Sequence, residues 1–325
     1  MKHDSRVIGI LILMFVVTQL IGLVVIDSYS EKITKTYVID GVEKNITLGE
    51  IPYDLEPPEI APKDAFGSIT IAFVIAVVLF FFLSKLRANL LIQIWFTLVV
   101  FLTVAVALNG LLLKSYQPLG IEISIVKLFP WIAGAIAIPL TFFKTIKRNL
   151  IVHNVSELLI YPGLAAIFVP ILRPWSIVAL LLLISVYDMW AVWHSKFMIK
   201  LAKYQIENLK VFTGFFLPYV RQTDRVKLKK IQTIKSKSKA MKAIKKSKIK
   251  VSLALLGGGD VAFPLIFAGV VMRWGTGFVP ALFVVAGATL GLLGLFIYSK
   301  KGKFYPAMPF ITVGCLIGWG ISFLF

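Results

Sequence analysis

Long uncharged apolar runs recur along almost the whole chain, and they leave few folds open to it. The runs cover approximately 7–26, 66–83, 90–113, 121–142, 155–172, 175–195, 251–272, 278–298 and 304–325, nine in all. A helix needs about 20 apolar residues to cross the roughly 30 Å hydrocarbon core of a bilayer. In lipid every backbone N–H and C=O must be satisfied within the protein, which favours helices. Only 16% of the 325 residues are charged, against roughly a quarter in an average soluble domain. The sequence therefore predicts an all-α, polytopic membrane protein with nine transmembrane helices in one membrane domain, 1–325. The fifth run is the least regular, because Glu157, Pro162 and Pro170 interrupt it. The first reads as a retained helix and not a signal peptide, since no small-residue cleavage site follows it.

Basic residues near the helix ends set the orientation. Lys2 and Arg6 precede the first run, Lys85 and Arg87 follow the second, Lys144, Lys147 and Arg148 follow the fourth, and Lys300, Lys301 and Lys303 follow the eighth. The intervening loops are poor in base, and 27–65 carries nine acids from Asp27 to Asp64. The expected topology has the N-terminus in the cytoplasm, the C-terminus outside, and 27–65 as an acidic extracytoplasmic loop. Between the sixth and seventh runs, 196–250 holds 17 Lys and Arg against Glu207 and Asp224, a net +15 of the chain's +19. This predicts a basic cytoplasmic loop. Within it, 225–250 interleaves Ile and Val with the bases at roughly helical spacing and can lie on anionic lipid headgroups. No aromatic alternates with those bases, so a nucleic-acid partner is not expected.

Cys315 is the only cysteine and His3, His153 and His194 are far apart, so neither a disulfide framework nor a metal site is expected. No nucleotide-binding or dinucleotide-binding signature occurs, and no cofactor is expected.

Two acids fall deep inside apolar runs: Asp188, in Ser-Val-Tyr187-Asp188-Met-Trp, and Asp260, in Leu-Leu-Gly257-Gly258-Gly259-Asp260-Val. An aspartate at mid-helix costs about 2.5–3.5 kcal/mol on insertion scales, so each needs a reason. Counting at helical rise, Asp260 is ten residues beyond Lys250, about 15 Å in, and Asp188 is about 12–18 Å from the same face. Two carboxyl groups at one depth, on helices of opposite direction, can share a site. Close together in a low dielectric they cannot both ionise, so the pair retains one proton. The ionised member can then take a proton from a water while the other donates to a peptide carbonyl. The glycines before Asp260 weaken a helix and allow another backbone to approach and pair in extended form. Glu122 and Glu157, by contrast, are expected to reach water near helix ends.

At these residues the sequence resembles the presenilin and signal-peptide-peptidase family of intramembrane aspartyl proteases, most closely its archaeal members. Tyr187-Asp188 matches the family's Y-D, Gly257-Gly258-Gly259-Asp260 its G-x-G-D, and Pro306-Ala307-Met308-Pro309 stands where the family has P-A-L, with Met308 for leucine. The resemblance implies that Asp188 and Asp260 are catalytic. It further implies that Tyr187, Gly257, Gly258, Gly259, Pro306, Ala307 and Met308 shape the site and receive substrate. The partners implied are transmembrane proteins or peptides, cut within the bilayer of the cell membrane. A second string, Pro280-Ala281-Leu282, opens the eighth run and by the charge argument lies at the outer face. Buried acids and broken helices also mark proton-coupled transporters, but no inverted pair of broken segments occurs. In a non-catalytic membrane scaffold the same acids would form structural hydrogen bonds.

Overall fold

The computed structural model describes residues 5–30, 33–39, 42–48, 89–116, 123–195, 213–220, 251–274, 277–299 and 305–324, with the isolated positions 52, 67, 71, 75 and 79. Of the second apolar run only 67, 71, 75 and 79 are described, each of them helical, and the amphipathic stretch 225–250 lies outside the described residues. Helices dominate: α1 (Ser5–Ser30), α2 (Asn89–Tyr116), the single turn α3 (Ile123–Val126), α4 (Phe129–Thr145), α5 (Leu150–Phe168), α6 (Pro174–Trp190), α7 (Gly258–Trp274), α8 (Phe278–Tyr298) and α9 (Met308–Ser322). Among the described residues, five helical stretches are long and apolar enough to cross a membrane: Ser5–Ser30, Leu90–Tyr116, Leu150–Phe168, Pro174–Trp193 and Phe278–Tyr298. Two shorter apolar helices, α4 and α9, pack among them. Large apolar side chains such as Trp131, Ile151, Trp175 and Leu290 point outward, as expected of a surface solvated by lipid.

Glu157 and Pro162 do not break the fifth run, and the helix ends just before Pro170. α5 is continuous from Leu150 through Pro162, and Asn149 caps it by accepting from the N–H groups of Ile151 and Val152 at 2.9 and 3.4 Å. Glu157, expected to reach water, has no exposed side-chain surface.

Among the described residues there are also two antiparallel strand pairs that the all-α expectation did not include. β1 (Ile33–Ile39) pairs with β2 (Val42–Leu48) inside the acidic segment 27–65. β3 (Gly214–Val220) pairs with β4 (Val251–Gly257), so the seventh run is helical only from Gly258. The physical reason lies in Gly257, Gly258 and Gly259. Each glycine costs a helix about 1 kcal/mol relative to alanine, which stops α7 from extending upstream. Residues 251–257 then pair with β3 in a ladder instead. Phe215, Ala254 and Leu256 are buried while Pro218 and Leu255 are exposed, the period-2 alternation of a one-sided sheet. The depth of Asp260 counted at helical rise from Lys250 therefore no longer applies.

α7 occupies the centre, packed against α1, α5, α6, α8 and α9. Twelve of its seventeen residues are buried, leaving it almost no face for lipid. α8 and α9 form the most intimate antiparallel pair. A Cβ on Gly287 would stand 2.1 Å from the Gly314 carbonyl oxygen, and one on Gly318 would stand 2.2 Å from that of Phe283. Backbones so close exclude any side chain, the small-residue packing common between membrane helices. Gly287→Ala is accordingly expected to destabilise the protein by about 1–3 kcal/mol, because backbone must move to admit the methyl. Gly294→Ala, where a Cβ meets nothing within 4 Å, is expected to be neutral or stabilising. Thermal unfolding in detergent, followed by circular dichroism, distinguishes the two.

Candidate active site

Asp188 lies two residues from the end of α6, at 7% exposure, just before a π-helical turn over Ala191–Ser195. Its Oδ2 accepts the backbone N–H of Met308 at 3.1 Å, and the Ala307 N–H also points at the carboxyl. Pro306 and Ala307 precede α9, and Pro309 occupies its first turn, where a missing N–H breaks no helical bond. The segment is thus folded so that its free helix-start amides face a carboxylate. One turn away on both helices, Ser185 Oγ and Thr312 Oγ1 are 2.8 Å apart, so α6 and α9 are joined along one stripe.

Asp260 lies in the first turn of α7, within electrostatic reach of Asp188. The Gly257 N–H donates to its carboxyl, and a Cβ on Gly257 would stand 3.0 Å from Asp260 Oδ2. Gly258 is buried with Tyr161 and Thr213 against it; a Cβ there would meet the Tyr161 hydroxyl at 2.9 Å. Gly259 is exposed. The structure therefore brings Asp188, Asp260, Gly257, Ala307 and Met308 together at one level. Tyr187 takes another course: it is 40% exposed, with its ring 6.4 Å from that of Trp190.

The packing of α8 on α9 separates the two P-A-L-like strings. Phe283 faces Gly318, Gly287 faces Gly314 and Phe310 faces Gly291, so Pro280 is level with about residue 321. Met308 is then roughly 20 Å away along α9. Only Pro306-Ala307-Met308 reaches Asp188.

The family assignment follows from the sequence pattern as a whole. Residues 54–325 match the family model described as signal-peptide peptidase, presenilin aspartyl protease. The chain belongs to this family. Two solved structures, each described as a presenilin family intramembrane aspartate protease, share the fold across nearly the full chain. One, in space group C222, is 17% identical with a TM-score of 0.60 and covers 98% of each chain. The other, in space group P2, is 18% identical with a TM-score of 0.57, covering 97% of this chain and 96% of the other. No curated protein matches the chain.

A second polar group in this family member lies outside the motifs. Lys144 on α4 and His153, Glu157 and Tyr161 on α5 meet in the interior. Their signal in the sequence was the spacing 153, 157, 161, one stripe at i, i+4 and i+8 of a mostly apolar helix. By its position after an apolar run Lys144 is an ordinary cytoplasmic charge, yet it is buried and paired with Glu157.

The Ser185–Thr312 pair allows a direct check of the α6–α9 seam. Thr312→Val alone leaves a buried hydroxyl without its partner and is expected to cost about 1–3 kcal/mol. Adding Ser185→Ala should recover part of that loss. Equilibrium unfolding of the two variants gives the comparison.

Proposed function

We propose that this family member hydrolyses peptide bonds of transmembrane segments, with Asp188 and Asp260 as the two acid–base groups. The observation that carries this reading is that Asp188, held by the Ala307 and Met308 amides, lies within electrostatic reach of Asp260, held by the Gly257 amide, inside an apolar bundle. One carboxylate removes a proton from a water molecule; the other, protonated, donates to the carbonyl oxygen as the carbon becomes tetrahedral. Collapse of that intermediate with a proton returned to the nitrogen releases the amine and leaves the pair ready to repeat. The amides that face Asp188 orient its carboxyl.

The sheet suggests how substrate backbone reaches the pair. Asn154 on α5 donates Nδ2 to the Phe216 carbonyl at 2.8 Å and accepts the Phe216 N–H at 3.0 Å. His153 Nε2 is 2.8 Å from the Gly214 carbonyl oxygen. The polar groups of 214 and 216 therefore point away from β4, and the outer edge of β3 is filled by α5. In an antiparallel pair the registered partners Leu255 and Gly257 must point theirs the other way. Among the described residues no strand pairs with that second edge of β4. A segment unwound from its own helix can add there as a third strand and run toward Asp260, which its backbone must reach to be cut.

The same reading includes the finer topology: nine spans in the cell membrane, N-terminus and the basic loop 196–250 in the cytoplasm, C-terminus and 27–65 outside. It is supported by the distribution of charge along the chain. The bases of 225–250 would then lie against anionic headgroups.

Asp188→Asn and Asp260→Asn are each expected to abolish cleavage of a purified single-span substrate in bilayers, with unchanged insertion and thermal midpoint. The groups have separate roles, so activity surviving in both single variants refutes the two-carboxyl mechanism. Leu255→Pro tests the docking edge. It removes an N–H that does not serve the β3 ladder, so β3 and β4 remain paired while KM rises by about tenfold or more. Steady-state kinetics over a substrate series supplies both values.

A further inference from the structure

Lys144, His153, Glu157 and Tyr161 have no part in the two-carboxyl chemistry, yet their contacts converge on the loop that carries Asp260. Lys144 Nζ donates to Glu157 Oε1, and the Tyr161 hydroxyl donates to Glu157 Oε2. Lys144 Nζ is also 3.2 Å from His153 Nδ1. An ammonium can only donate and a carbonyl can only accept. Nδ1 therefore holds the lone pair and Nε2 carries the hydrogen given to Gly214. With Lys144 as an ammonium the imidazole is neutral, and every member of the group has a defined direction.

From this group two arms run to one place. The first passes through His153 to Gly214, whose cross-strand partner is Gly257. The second passes through Glu157 to Tyr161, whose hydroxyl fills the space beside Gly258 where a Cβ would stand. The Tyr161 ring also packs edge-on to Phe215, with centroids 5.9 Å apart. Gly257 and Gly258 are the strand–helix junction, and Gly257 donates to the Asp260 carboxyl. A glycine junction has little intrinsic stiffness. Rigidity there has to come from what surrounds it.

We propose that Lys144, His153, Glu157 and Tyr161 are positioning residues that hold the Gly257–Gly258 junction, and through it Asp260, in the geometry the reaction needs. The proposal rests on the protease reading above. The charge pair sets the orientation of both arms: Lys144 fixes the His153 ring, and Glu157 fixes the Tyr161 hydroxyl. Small displacements of a reacting group cost large factors in rate, while substrate that binds along β4 is held by other contacts.

Three variants test this in the full-length protein. Tyr161→Phe keeps the ring and removes the hydroxyl. The double variant K144M/E157L removes the charge pair without stranding either charge. K144M/E157Q also removes the charges but leaves an amide oxygen for Tyr161. Tyr161→Phe and K144M/E157L are expected to lower kcat per folded molecule by about tenfold or more with KM within about twofold. K144M/E157Q is expected to recover the part of that loss that runs through Tyr161, to the level of a variant lacking only the Lys144–His153 arm. Hydrogen–deuterium exchange should quicken in the peptide covering 251–262 and stay unchanged elsewhere. If both losing variants retain wild-type kcat per folded molecule, or if exchange over 251–262 is unaltered in Tyr161→Phe, the proposal is overturned. Tyr161→Phe decides the matter should K144M/E157L fail to fold. The exchange result stands whether or not the wild type cleaves, and absence of wild-type cleavage would count against the protease reading alone.

Discussion

The close approach of two carboxyl groups inside a helical bundle is the constraint to which the rest of this structure answers. Such a pair is tolerable in lipid only if protein surrounds it on every side. α7, which carries Asp260, is accordingly wrapped by five other helices and buried along most of its length. α1 contributes a polar contact to this wrapping, for Gln19 donates to the Val261 carbonyl at 2.9 Å, one residue beyond Asp260. α9 is held against α8 by direct backbone contact, so the Ala307–Met308 amides at its start are presented to Asp188 from a stiff pair. Each of these features places or shields one of the two acids.

The aspartates were legible because hydropathy makes an acid conspicuous. In a run of Leu, Ile and Val, Asp188 and Asp260 stand out against a cost that few residues would incur without cause. The strand β4 was not legible for the opposite reason. Val-Ser-Leu-Ala-Leu-Leu fits a buried strand and a buried helix equally well, and periodicity cannot choose between them over so short a stretch. What decides is its partner β3, thirty residues away across a basic segment. The two P-A-L-like strings posed a similar problem. The two strings differ only in Leu282 against Met308, and charge distribution suggested which one faces the aspartates. The α8–α9 register sets Pro280 level with about residue 321, while Met308 lies against Asp188.

Glu157 shows a further limit of reading charge by position. Near helix ends an acid is cheap if water is at hand, and the prolines around it suggested an irregular segment. Its partner Lys144 lies on another helix, thirteen residues earlier, where a lysine after an apolar run has an ordinary reading as a cytoplasmic anchor. Each half of the pair had a commonplace explanation. Removing one half alone would leave a buried charge at a cost of about 3–5 kcal/mol, which neither explanation anticipates.

The side-chain amide of Asn154 closes one flank of the β3–β4 ribbon by imitating a neighbouring peptide. The ribbon can consequently grow in one direction only, and its pleat is already set by Phe215 and Leu256 pointing into the bundle. Any chain that joins the remaining flank inherits that pleat. Its odd-numbered residues would face one environment and its even-numbered residues the other. Selectivity would then be a rhythm of two along the captured sequence, governed by bulk and polarity at alternate positions and indifferent to the identity of any single residue.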